Sequence, residues 1–206
     1  MVVIVVGGSE HGVGKTSLAC GLIRALAEIE WTAIKITSHN YGQDARIWEE
    51  SSAAEGTDTS RYLAAGARRA LLVTATDEEL EDAVRRVLWQ CAARDGAVPI
   101  CRGGGASNSP TGILLESNRV LGFVEPDLCL GVEGAPGVEQ KASYSRVAAR
   151  ADALVRRAAC DAVVEGPAGE SVGGSRPVFE LRNLERLSER MRDWLQERLR
   201  RLRTRN

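Results

Sequence analysis

The first seventeen residues constrain this chain more than all the rest. Residues 2–6 are an unbroken run of valine and isoleucine, the pattern of a strand buried on both faces of a parallel sheet. Gly7 and Gly8 end the run. Leu18, Leu22, Ala25 and Leu26 then recur at helical spacing, so a helix is predicted over 16–28, and residues 32–37 (TAIKIT) read as a second strand. A strand, a glycine-rich turn, a helix and a second strand make one crossover unit, and such units are almost always right-handed.

Between strand and helix runs Gly8-Ser9-Glu10-His11-Gly12-Val13-Gly14-Lys15-Thr16-Ser17. Glycines let successive backbone N–H groups converge on an anion without side-chain obstruction. The start of the helix adds unpaired donors and a partial positive charge. Lys15 is placed to reach the β- and γ-phosphates of a nucleotide, and the Thr16 hydroxyl to ligate Mg²⁺. The standard phosphate loop has four residues between its first glycine and the Gly-Lys pair. Here Ser9 falls at that first position, so the loop counted from Gly8 is one residue longer. The expected fold is α/β, a P-loop NTPase three-layer sandwich with a mostly parallel central sheet and helices on both faces.

The rest of the chain extends this plan. A long loop, with a short helical piece near Trp48, is expected over 38–57, and a short helix over 58–65. Strands are expected at 70–74, 97–101, 112–116, 128–132, 162–165 and 177–180. Asp77 reads as the cap of a helix over 78–94, and 143–158 reads as another helix. Residues 102–112 are rich in glycine, serine and asparagine and read as a loop or a flap that closes over a ligand. Leu184, Leu187, Met191, Trp194, Leu195, Leu199 and Leu202 line one face of a terminal helix over 184–203, followed by an arginine-rich tail. Residues 1–206 are read as a single nucleotide-binding domain, of which 181–206 are the C-terminal helix and basic tail.

Composition excludes several classes. A net charge of −1 supplies no bulk field for nucleic acid or an anionic membrane, so neither is expected as a partner. No stretch approaches the ~20 apolar residues of a membrane span. The apolar start is too short for a signal peptide core and lacks a basic lead, so a cytoplasmic location is expected. Two histidines are too few for a histidine-rich metal site, and five scattered cysteines without a Cys-x-x-Cys pair read as reduced core residues.

Beyond the loop, the chain resembles the protein B family of molybdopterin-guanine dinucleotide biosynthesis, small GTP-binding accessory proteins. Lys35 and His39 match its Lys-then-His strand. Asp58-Thr59-Ser60-Arg61-Tyr62 followed by Ala65-Gly66-Ala67 matches its Asp-Ser-x-Arg element and the Ala-Gly-Ala beyond it. Where that family has a strand ending in Glu-Gly, this chain has Ile113-Leu114-Leu115-Glu116 followed by Ser117-Asn118. Pro126-Asp127-Leu128 and Pro177-Val178-Phe179-Glu180-Leu181 also fit. The resemblance implies GTP, slow hydrolysis, a homodimer and a role alongside molybdopterin or a partner enzyme of its maturation. The phosphate loop itself is similar to that of dethiobiotin synthetases, in Gly8 and in Gly12-Val13-Gly14-Lys15-Thr16, which implies ATP and a ligase or small-molecule kinase. A nucleotide-switched module without catalysis is the third reading, with 38–57 as the switch loop.

The candidate site follows from these strands. Ligands of open α/β sheets bind beyond the carboxyl ends of the strands. Glu116 and Glu165 both end apolar strands. Glu116 is the first choice for Mg²⁺ beside Thr16, with Asp58 and Glu165 as alternatives. Asp58 reads equally as a helix cap. Lys35, near the end of its strand, points to an anion or lies at an exposed edge. His39 meets a phosphate or base, or is exposed. His11 contacts phosphate or only orients its loop. The nucleotide, GTP or ATP, is placed on residues 8–17 with Lys35, His39 and Asp58, and Lys15 and Glu116 are the candidate catalytic pair. The chain has no Asn-Lys-x-Asp element, so the base is not legible.

Overall fold

The computed structural model describes residues 1–37, 45–54, 56–94, 110–135, 137–158 and 176–204. Its centre is an eight-stranded sheet. The strands are β1 (Val2–Gly8), β2 (Glu30–Thr37), β3 (Arg46–Glu49), β4 (Arg69–Thr74), β5 (Thr111–Glu116), β6 (Leu128–Glu133), β7 (Ala153–Arg157) and β8 (Val178–Leu181). The helices are α1 (Lys15–Ala25), α2 (Asp58–Ala64), α3 (Leu80–Arg94), α4 (Tyr144–Arg150) and α5 (Glu189–Arg203). No helix among the described residues is long and apolar enough to cross a membrane.

The strand order is β3-β4-β2-β5-β1-β6-β7-β8, and every pair is parallel except β3 with β4. β1 therefore lies inside the sheet, with β5 on one side and β6 on the other. The chain leaves β1 for β2 and β4 on the first side and returns at β5 before crossing to β6 on the second. Such a reversal of direction opens a crevice at the carboxyl edge.

Alternation along the strands builds a core on each face. Ile4 and Val6 face one core with Leu18 and Leu22 of α1, Tyr62 of α2, and Met191 and Leu195 of α5. Val5 faces the other, with Val84 and Val87 of α3 and Val147 of α4. The architecture is the expected three-layer α/β sandwich around a mostly parallel sheet.

Four local expectations are corrected. Residues 46–49 are not loop or helix but the edge strand β3, antiparallel to β4. Its Ile47 packs on the core while Trp48 is exposed, and four residues are too few for a period to emerge. The helix expected over 143–158 stops at Arg150, where Ala151 turns to extended backbone, and 153–157 is the strand β7. A short apolar run beside a helix is ambiguous in sequence. What decides it is Asp152, whose N–H donates to the Cys129 carbonyl and whose carboxylate accepts from Cys129 N, each at 2.8 Å. At the third helix the cap contacts belong to Thr76 rather than Asp77. Thr76 Oγ1 accepts from Glu79 N, and Glu79 Oε2 accepts from Thr76 N and Thr76 Oγ1. The last helix starts at Glu189, with the Ser188 hydroxyl accepting from Met191 N at 3.3 Å. Leu184 and Leu187 reach the same core from the segment before it. The strands expected at 97–101 and 162–165 and most of the glycine-rich stretch lie outside the described residues. Of the cysteines, Cys20, Cys91 and Cys129 are buried.

Gly21, within α1, marks where the C-terminal segment docks. A Cβ there would lie 2.5 Å from the Leu184 carbonyl oxygen and 3.2 Å from Glu185 backbone atoms. Replacing it with alanine gains about 1 kcal/mol of helix propensity but forces two backbones apart, which costs about 1–3 kcal/mol. Gly21→Ala is therefore expected to lower the urea midpoint with an unchanged slope. A raised midpoint would contradict this docking.

Candidate functional site

The crevice at the carboxyl edge is a cavity of about 450 Å³. Among the described residues, six cationic side chains line it, Lys15, Lys35, Arg61, Arg119, Lys141 and Arg157, against two carboxylates, Asp58 and Glu116. That imbalance suits a polyanion.

The loop between β1 and α1 forms its floor. Gly14 precedes α1 with φ +105°, a left-handed conformation, and a Cβ there would also stand 2.3 Å from Leu184 Cδ1. Only glycine satisfies both conditions. His11, Gly12, Gly14, Lys15, Thr16 and Ser17 line the cavity. Gly8, Ser9, Glu10 and Val13 do not. Val13 packs on the core. Ser9, the residue that lengthens the loop, faces β6: its N–H donates to Val132 O at 2.9 Å, its hydroxyl accepts from Gly134 N at 2.9 Å, and its carbonyl accepts from Lys141 N at 2.7 Å. Lys15 bends over the loop and donates to the Glu10 carbonyl at 3.3 Å. Burial pushes its pKa down, and Lys141 and Lys35 add to this while Glu116 opposes it. An ammonium so placed gains from an anion.

Glu116 is the hub. It ends β5, in register with Val6 of β1 and Lys35 of β2, and its side chain is 3% exposed. A carboxylate this buried must be hydrogen-bonded. Thr16 Oγ1 donates to Oε2 at 2.8 Å, the Tyr62 hydroxyl donates to the same oxygen, and Lys35 Nζ donates to Oε1 at 3.0 Å. Burial, then the Glu116 charge, pushes the Tyr62 hydroxyl well above its ordinary pKa. Lys35 Nζ also donates to Asp58 Oδ2 and lies 3.4 Å from Thr16 Oγ1. Burial alone would lower the Lys35 pKa, but Glu116 and Asp58 outweigh it and raise it. The same balance acts on Asp58: burial raises its pKa, the Lys35 bond and charge lower it, and lowering wins.

The structure thus brings together Lys15, Thr16, Lys35, Asp58 and Glu116. The Asp58 side chain is not the helix cap; that is Thr57, whose hydroxyl accepts from Ser60 N at 3.0 Å. His11 is exposed at the cavity mouth. His39 and Glu165 lie outside the described residues. No family model matches the chain, and no curated protein sequence does. Among solved structures, that of LpxK from Aquifex aeolicus in complex with ATP is similar, with 19% identity and a TM-score of 0.47. The likeness covers 87% of this chain and 53% of that one, so the chain spans about half the length of that protein.

Four contributors were not singled out from the sequence. Tyr62 lies one helical turn beyond Asp58, and that spacing is the signal that would have found it. Arg61 Nη2 donates to Ser17 Oγ at 2.9 Å and to Glu185 Oε1 at 2.7 Å, tying α1, α2 and the C-terminal segment. Asn118 accepts from Gly8 N at 2.7 Å and donates to Gly8 O at 2.9 Å. Its amide continues the β1–β5 ladder where the backbone has turned away. Lys141 faces the phosphate loop from the segment after β6. Neither of the last two follows any sequence period.

The donors fit Mg²⁺. Hydroxyl and carboxylate oxygens are the ligands this ion prefers, and Thr16, Glu116 and Asp58 already surround a positive charge, the Lys35 ammonium.

Three substitutions test this arrangement. Tyr62→Phe removes one donor to a buried carboxylate and is expected to cost about 1.5–3 kcal/mol. Glu116→Ala leaves a half-buried ammonium and a buried hydroxyl without their partner, and should cost about 3–5 kcal/mol in urea unfolding. Equal losses would argue against the hub. The Asp58 pKa is lower folded than unfolded, so its stabilisation is complete above the unfolded value, about 3.9, and disappears as pH falls through the folded value. The stability deficit of Asp58→Asn at pH 7 should therefore shrink below about pH 4. A deficit independent of pH would contradict the pairing.

Proposed function

We propose that this chain binds a nucleoside triphosphate together with Mg²⁺ and catalyses chemistry at its terminal phosphate. One observation carries the reading: the left-handed Gly14 turn, Lys15 and the Thr16–Glu116 bond open on one cavity whose charged lining, among the described residues, is mainly cationic. Backbone amides and Lys15 would cradle the β- and γ-phosphates. Thr16 and Glu116 would hold Mg²⁺, with Asp58 as a further oxygen ligand, directly or through water. Bound there, the ion would offset charge on the phosphate oxygens. Lys35, freed from its carboxylates, would meet the terminal phosphate. Phosphoryl chemistry asks mainly for positioning and charge, and these residues supply both.

Two uses of that chemistry compete. The matches at Lys35 to His39 and Asp58 to Ala67 favour a slow GTPase, homodimeric and accessory to molybdenum cofactor maturation. The cations beyond the phosphate loop, Arg119, Lys141 and Arg157, favour an ATP-dependent ligase or small-molecule kinase that also receives an anionic acceptor. Competition calorimetry separates them: GTP binding with ATP excluded supports the accessory protein, and ATP preference supports the ligase or kinase. Either way Lys15→Ala removes a charge-assisted contact of about 1.5–3 kcal/mol, so triphosphate affinity is expected to fall about 10- to 150-fold. Unchanged affinity in a folded Lys15→Ala protein would remove this site from consideration.

A further inference from the structure

The oxygens that suit a divalent cation already hold a cation, and it belongs to the chain. Lys35 Nζ donates to Asp58 Oδ2, to Glu116 Oε1 at 3.0 Å, and lies 3.4 Å from Thr16 Oγ1. We propose that Lys35 is a resident cation that sets the order of binding. In the nucleotide-free chain its ammonium fills the metal position, so the site refuses free divalent metal and admits it only together with a polyphosphate. This rests on the nucleotide reading above.

The geometry makes the two cations exclusive. Mg²⁺ needs oxygens at about 2.0–2.1 Å and accepts little departure from an octahedron. An ammonium hydrogen-bonded to the same three oxygens stands where that ion would stand. Lys35 is anchored on β2, with its Cα in register with Glu116 of β5, so its head group is delivered to this position by the sheet itself. Its flexible four-carbon stem lets the head group move while the anchor stays.

Among the described residues, metal arriving alone finds no further carboxylate in the cavity to receive a displaced ammonium. Lys15 and Lys141 face the same cavity and repel it, and Arg61 stands 3.7 Å from Asp58 Oδ1 on the remaining side. A triphosphate changes that balance. It would bring anionic oxygens beside Lys15, in the cavity that Lys35 also lines, and these can receive the Lys35 head group as the divalent ion takes over the carboxylates. Nucleotide and metal then assist each other, and the assistance is reciprocal by thermodynamic necessity. Lys35 is in this sense a positioning residue with two stations, one on the carboxylates and one on phosphate. A surface ion pair would have neither the threonine of the phosphate loop nor a buried carboxylate among its partners.

The test uses the full chain without nucleotide and Mn²⁺ as the probe, with free Mn²⁺ read from its electron paramagnetic resonance signal and folding checked by circular dichroism. Lys35→Met should tighten Mn²⁺ binding at least tenfold over wild type. Adding Glu116→Gln to that variant should erase the gain, and Lys35→Arg, which keeps the charge, should remain as weak as wild type. A folded Lys35→Met protein that binds Mn²⁺ no better than wild type overturns the proposal. Wild type alone also decides it, should the variant not fold. Micromolar Mn²⁺ binding without nucleotide overturns it, and Mn²⁺ uptake only after a non-hydrolysable ATP or GTP analogue is added supports it. If neither analogue binds, the nucleotide reading fails, while the comparison of Lys35→Met with wild type in Mn²⁺ alone still decides whether Lys35 holds the metal position.

Discussion

A carboxylate sealed inside a protein must be neutralised by hydrogen bonds, and Glu116 meets that demand by drawing donors from three separate elements. Thr16 comes from α1, Tyr62 from α2 and Lys35 from β2. An unpaired buried charge is too costly to keep. The position of each donor is thus tied to the others, and the start of α1, the second half of α2 and the end of β2 are set relative to one another by one side chain. Glu116 reaches this place because β5 lies directly beside β1, so that the carboxylate emerges next to the loop that follows β1.

The loop is also held from both flanks before any ligand arrives. On the β6 side, Ser9 extends the ladder and binds the segment carrying Gly134 and Lys141. On the β5 side, Asn118 grips both polar atoms of Gly8 with its amide. The additional residue in the loop is therefore used for attachment to β6. A ligand that finds its donors already in place loses less entropy in ordering them. Lys15 is the exception to this fixity: its ammonium rests on the Glu10 carbonyl within a cavity of like charges.

How far the sequence was legible depends on the length of the pattern. The β1 run and the α1 stripe are long or pure enough to identify themselves, and with the glycines between them they placed the phosphate loop. Thr16 and Glu116 were paired from their oxygen chemistry and from Glu116 ending an apolar strand, and they touch at 2.8 Å. Of the strands of four or five residues, β8 was legible at 177–180, but β3 and β7 were not. β3 looked like loop, and β7 looked like the tail of a helix, because strands this short show their period only once a neighbour supplies a ladder. Asn118 follows no period either, yet its amide has the donor and acceptor of a backbone peptide and uses both on Gly8.

By itself the sequence determined the layered α/β plan, the anion-binding turn and the residue types available for metal and phosphate. Those follow from local stereochemistry: hydrophobic period, glycine conformation and the start of a helix. Tertiary structure alone decided which acids and bases meet. Lys35, Asp58, Tyr62 and Glu116 come from three elements, β2, α2 and β5, and their meeting depends on strand order and register. A shift of one residue in β2 would turn Lys35 to the opposite face, since side chains alternate along a strand. Only the packed sheet carries that information, because it arises from pairings between segments distant in the chain.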